Sequence, residues 1–141
     1  MEQNIDTLAE EIEDYELIQS IPGIGPKIAA TILAEIGEID RFNHPKKLVA
    51  YAGIDPSVFS SGKFTATQNR ITKRGARQLR YALIMAVQCG LIRSRNTRLK
   101  EIYERKRAEG KPHKVALVAC GNKLVHWIYA ILNNRKAFRI M

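Results

Sequence analysis

SIPGIGPK, residues 20–27, joins two helical patterns and decides the fold. Before it, an acidic stretch with helical periodicity runs to about Gln19; after it comes the apolar run IAATIL. Pro22 cannot continue the first helix, and Gly23 and Gly25 are free to take the positive φ that a tight reversal needs. Pro26 fits the first turn of the second helix, where a missing N–H is no loss. The N–H groups that open a helix over 26–37 have no intrahelical partner. Without a Cβ at Gly23 or Gly25, a sugar-phosphate backbone could approach them closely. Lys27 adds a mobile positive charge at the same place.

This pattern matches the helix-hairpin-helix DNA-binding motif over about a dozen residues without a gap. The alternative is a plain αα-hairpin whose glycines serve only steric ends. Charge favours the first reading. The 141 residues carry a net charge of +9, yet residues 1–20 hold seven of the 14 acidic residues and no basic one. All 23 Lys and Arg therefore lie in residues 21–141 against the other seven carboxylates, a balance suited to a polyanion. No polybasic, Trp-flanked helix marks a membrane surface as that polyanion, so DNA is the expected partner and no membrane is.

A 45% apolar composition is enough for one core, and the periodicities make the chain all-α. Residues 1–19 form an acidic amphipathic helix with Ile5, Leu8, Ile12, Tyr15 and Leu17 at helical spacing. This helix also fits the end of a coiled coil from an upstream domain. Residues 20–141 then form the DNA-binding domain, a helix-hairpin-helix followed by a small helical bundle. Asn43 can cap a helix over 44–52, Thr72 one over 73–93, and Asn96 one over 97–109. The last helix covers 112–133, with Val115, Val118, Leu124, Ile128 and Ile131 as its core stripe. Its apolar run is broken by Asn122, Lys123 and His126, which suits a buried helix rather than a membrane one. Residues 53–71 lose helical period and predict a long ordered loop or a small β-hairpin near Ser61-Gly62.

Cys89 and Cys120 lie in apolar helical patterns without metal-ligand spacing, as buried thiols of a reducing, cytoplasmic compartment do. His113 and His126 are lone histidines, and Trp127 and Tyr129 read as core and interface. No metal site is expected in this chain; Asp40 and Asp55 read as cap and turn residues.

The 53–71 loop is where chemistry could sit. Ser61 precedes the small Gly62, and Lys63, Lys73 and Arg74 could neutralise a phosphate under attack; Lys73, Arg74 and Arg77 also crowd the start of the 73–93 helix, where the dipole prefers an anion and a phosphate could dock among them. A serine hydroxyl needs a base or a metal to become nucleophilic, and no His stands beside Ser61. On these residues alone Ser61 is a turn former or a phosphate hydrogen-bond donor.

A resemblance changes that reading. SIPGIGPKIAATILAEIGEIDRF, KKLVAYAGIDPSVFSSGKF, ITKRGARQLRYAL and ERKRAEGKPHKVALVACGNKL, spread over residues 17–132, resemble the C-terminal domain of DEDD transposases of insertion sequences, relatives of the Piv DNA invertase. The resemblance implies that an N-terminal RuvC-like half supplies three Asp and one Glu for divalent metal, Mg²⁺, while this half supplies the nucleophile, which falls on Ser61. Ser57 and Ser60 lack the following glycine. It further implies strand cleavage through a phosphoserine link, a guide RNA in characterised members, a homo-oligomer in the full-length bacterial or archaeal protein, and inactivity of this half alone. Two other readings stand beside it: a non-catalytic helix-hairpin-helix module of a repair or junction protein, and an RNA-binding component.

Overall fold

In the computed structural model, which describes residues 2–55 and 77–138, helix α1 (Glu2–Ile18) unwinds through short turns: Ser20 N–H bonds Leu17 O, Ile21 N–H bonds Ile18 O and Ile24 N–H bonds Ile21 O. Pro22 has no donor to extend the helix. The two isoleucines of the turn point inward, Ile21 at 0% and Ile24 at 5% exposure, and plug the core beneath it. Helix α2 (Pro26–Ile36) then starts with proline at its first position and buries Ala29, Ile32 and Ile36 on one face.

After a 3-10 turn at Ile39–Arg41 comes α3 (Pro45–Ala52), closed by Gly53 in the left-handed conformation. Its cap is His44, whose Nδ1 accepts from Lys46 N–H at 3.1 Å, and not Asn43. Pro45 occupies the first helical position, so the residue immediately before it is the one that caps.

Helix α4 (Arg77–Leu91) carries the expected stripe, with Leu79, Leu83, Ala86 and Val87 all buried. It stops two residues short of the expected 93, because Arg93 (φ 54) and Ser94 (φ 56) adopt left-handed backbone in a 3-10 turn at Ile92–Ser94. Helix α5 (Thr97–Ala108) begins at Asn96, whose side chain accepts from Leu99 N–H at 3.1 Å as its sequence position foretold.

Helix α6 (His113–Asn134) is the axis of the bundle and packs on α1, α3, α4 and α5. Val118, Leu124, Ile128 and Ile131 are buried and Val115 half-buried; each fully buried Leu or Ile contributes about 1.5–3 kcal/mol relative to exposure. Tyr129 Oη donates to Phe42 O at 3.1 Å, and Trp127 packs on the Phe138 ring at 4.8 Å between centroids, so both aromatics serve packing. Length and composition alone would let α6 cross a membrane; here 56% of its most apolar window is covered by the other helices.

The described residues thus form six α-helices and no strand. The loop or hairpin expected at 53–71 and the Thr72 cap fall largely or wholly on residues 56–76, outside the described ones.

Leu8 and Ile12 are 57% and 59% exposed: among the described side chains α1 packs on the bundle through its last turns, where Tyr15, Leu17 and Ile18 sit, and Arg135 holds it by ion pairs to Glu13 (2.9 Å) and Asp14 (2.7 Å). The expectation of two buried thiols needs correction. Cys89 is half-buried, since it falls beside the stripe that Ala86, Val87 and Gly90 bury. Cys120 is fully buried; its thiol donates to Leu99 O, and burial pushes its pKa up to about 11.

Candidate nucleic-acid interface

The two glycines of the turn do different work. Gly23 adopts φ +107 as expected, but it faces the bundle: a Cβ there would lie 2.8 Å from Ala86 O and from Gly90 N of α4. Gly90 answers it, with its own missing Cβ pointing at Pro22 O and Asn96. The turn and α4 therefore meet backbone to backbone, glycine against glycine.

Gly25 does not have the positive φ expected of it. It sits at φ −91, ψ −177, extended backbone open to any residue, and caps α2 without a side-chain hydrogen bond. A chain already reversed by Gly23 needs no second left-handed residue. A Cβ at Gly25 would meet nothing within 4 Å, so this glycine borders open space.

The Gly25 carbonyl receives the first intrahelical bond, from Ala29 N–H at 2.9 Å. Pro26 has no N–H, and no side chain caps the end, so the Lys27 and Ile28 amides open α2 without an intrahelical partner. A helix start carries partial positive charge and aims its amides along the axis, the arrangement that receives phosphate. Lys27 is exposed beside it, and among the described residues no carboxylate pairs with it.

Asn96 holds this turn in place. It is 0% exposed, its Nδ2 donates to Pro22 O at 3.1 Å, and its backbone N–H bonds Gly90 O at 2.8 Å. One buried side chain thus fixes the α1–α2 turn to the α4–α5 junction, 74 residues away in sequence. Sequence reading assigned Asn96 only its capping bond, since nothing in a local pattern names a distant carbonyl.

Arg77 is exposed at the other end of α4. Thirteen residues of helix separate it from Gly90, or about 20 Å of axis. The structure therefore does not bring Arg77 together with Gly25 and Lys27. Ser61, Gly62, Lys63, Lys73 and Arg74 lie outside the described residues.

Charge is segregated around the bundle. An open groove of about 830 Å³ between α1, α2 and the Ile39–Arg41 turn is lined by Glu10, Glu11, Asp14, Glu38 and Asp40 with exposed Leu8 and Ile12, a face that repels phosphate. Between α3 and α6, positive groups gather instead: burial first, then Lys123, His44 and Lys46, hold the His126 pKa below its ordinary value. Among the described residues no set of three His, Cys, Asp or Glu side chains could hold a metal ion. His113 has a protein partner, Tyr103 Oη, at 2.7 Å.

The described residues thus form an all-helical unit with one acidic face, basic patches elsewhere and a glycine turn at an open helix start. A family model described as Transposase IS116/IS110/IS902 family matches residues 15–104, and the chain belongs to that family. Among similar proteins, the transposase for insertion sequence element IS1111A of Coxiella burnetii is 32% identical over 139 residues, covering 98% of this chain and 38% of the relative. The pilin gene-inverting protein of Moraxella bovis is 31% identical, covering 86% of this chain and 38% of the relative. The insertion element IS116 uncharacterized 44.8 kDa protein of Streptomyces clavuligerus is 31% identical, covering 87% and 30%. The chain spans about a third of the length of these relatives. No solved structure matches it.

Proposed function

We propose that this chain is the DNA-gripping part of a transposase or site-specific recombinase, that residues 20–27 work as a helix-hairpin-helix, and that Ser61 is the nucleophile. The observation that carries the grip is the uncapped start of α2: amides without intrahelical partners, Gly25 open to solvent, Lys27 exposed beside them. Backbone amides read no base, so binding through this turn is sequence-tolerant and positions the duplex. Relatives named as a transposase and as a pilin gene-inverting protein support DNA as the polyanion.

The reaction proposed for Ser61 is transesterification. Its Oγ bonds to phosphorus as the bond from phosphorus to one deoxyribose oxygen breaks, and the leaving sugar oxygen takes up a proton. One phosphodiester replaces another, so rejoining needs no outside source of energy. Deprotonating the serine calls for a base or a metal. The described residues assemble no carboxylate set for Mg²⁺, so that activation would fall to a companion carboxylate-bearing half.

The test of the grip is the salt dependence of duplex affinity, followed by fluorescence anisotropy. The wild-type chain is expected to lose affinity with salt at a log-log slope of about −0.9 per phosphate contacted. Lys27→Ala should make that slope shallower by about one contact. An unaltered slope in Lys27→Ala places this lysine away from DNA.

A further inference from the structure

We propose that the turn at residues 92–95 is a second phosphate-contacting element, in which Arg93 and Arg95 take the DNA backbone alongside the start of α2; this rests on the DNA-binding reading above. Nothing in the linear pattern marked these arginines, because they close a helix and start no motif. Three observations converge on them.

The first is backbone conformation. Arg93 (φ 54, ψ 26) and Ser94 (φ 56) are consecutive left-handed residues, a state that glycine enters freely and other L-residues do not. Such strain persists where the surroundings hold it, and it gathers at functional turns. Here the turn is held by Arg95 N–H to Ile92 O, by Asn96 N–H to Gly90 O, and by Lys100 Nζ donating to Ser94 Oγ at 2.6 Å.

The second is the side chains. Arg93 and Arg95 are both exposed, and among the described residues no carboxylate pairs with either. Arginine at a glycine-type position therefore brings the described fold no internal ion pair. By contrast Arg135 is tied to Glu13 and Asp14, and Arg41 lies over the Phe42 and Tyr51 rings. Two guanidinium groups left to solvent, with fork geometry suited to phosphate, have an external ligand as their natural partner.

The third is location. Asn96, next in sequence to Arg95, donates to Pro22 O, and Gly90 packs on Gly23. The arginine turn is thereby bolted to the same turn that presents Gly25 and Lys27. A duplex backbone seated at the start of α2 meets Arg93 and Arg95 on a rigid neighbour. Arg77, at the far end of α4, sits about 20 Å further along that helix.

The experiment compares Arg93→Gly and Arg95→Ala with the wild-type chain, reading melting temperature and duplex affinity across salt. Glycine fits φ 54 without strain, so Arg93→Gly should melt at the same temperature or higher while affinity falls roughly three- to tenfold and the salt slope loses about one contact. Arg95, at φ −55, ψ −39, accepts alanine, and Arg95→Ala should show the same loss at unchanged melting temperature. Unchanged affinity and slope in both variants, with wild-type binding intact, overturns this second contact and leaves the α2 grip standing. If Arg93→Gly melts lower, Arg95→Ala decides, and full affinity there overturns the proposal. A wild-type chain that does not bind duplex removes both readings together.

Discussion

Gly23→Ala is expected to destabilise the fold by about 3 kcal/mol or more, a loss of roughly 10 °C in melting temperature for a chain of this size. Two effects add. At φ +107 any L-residue is strained, which costs on the order of 1–3 kcal/mol. Its Cβ would also lie 2.8 Å from Ala86 O and Gly90 N, and these are helix backbone atoms, not side-chain ends that could rotate away. Relief requires the turn to lift off α4. That would stretch the Asn96 bond to Pro22 O and pull Ile21 and Ile24 from the core. Urea or thermal unfolding measures it, and a change below about 1 kcal/mol would show that the turn does not rest on α4.

The second large effect concerns chemistry. In a protein that joins this chain to the proposed carboxylate-bearing half, Ser61→Ala should lower strand cleavage by at least about a thousandfold, because alanine offers no oxygen to phosphorus. Duplex affinity should stay within about twofold, since the proposed grip lies at residues 20–27 and uses no serine hydroxyl. The readout is a covalent protein–DNA adduct, seen as a mobility shift under denaturing conditions. An adduct formed by Ser61→Ala at the wild-type level moves the nucleophile to another residue.

What the sequence made legible is whatever is local. The stripe of α4 at Leu79, Leu83, Ala86 and Val87, the Asn96 cap and the start of α2 at Pro26 follow from spacing and side-chain chemistry, and the structure places them as expected. The His44 cap was within reach too: Pro45 at the first helical position points to the residue before it, yet Asn43 is by type the stronger capper. The contacts that build the candidate interface were not legible. Gly23 against Gly90 and Asn96 to Pro22 join segments that tertiary packing alone brings together. A glycine needed for φ and for clearance looks the same in sequence as one bordering open space, so spacing alone does not separate Gly23 from Gly25.

The exposed Leu8 and Ile12 show the same limit from the other side. Their spacing declares an apolar stripe, but spacing does not say what covers it, and the described helices reach only the last turns of α1.

The open start of α2, not merely the net charge, is proposed to receive DNA. Gly25→Val tests it most directly, because valine accepts φ −91, ψ −177 and its side chain enters open space, so the fold should lose no more than about 1 kcal/mol. With the net charge unchanged, Gly25→Val should melt within a few degrees of wild type and bind duplex about tenfold more weakly at matched salt. Equal affinity for duplex DNA in Gly25→Val and the wild-type chain would contradict it.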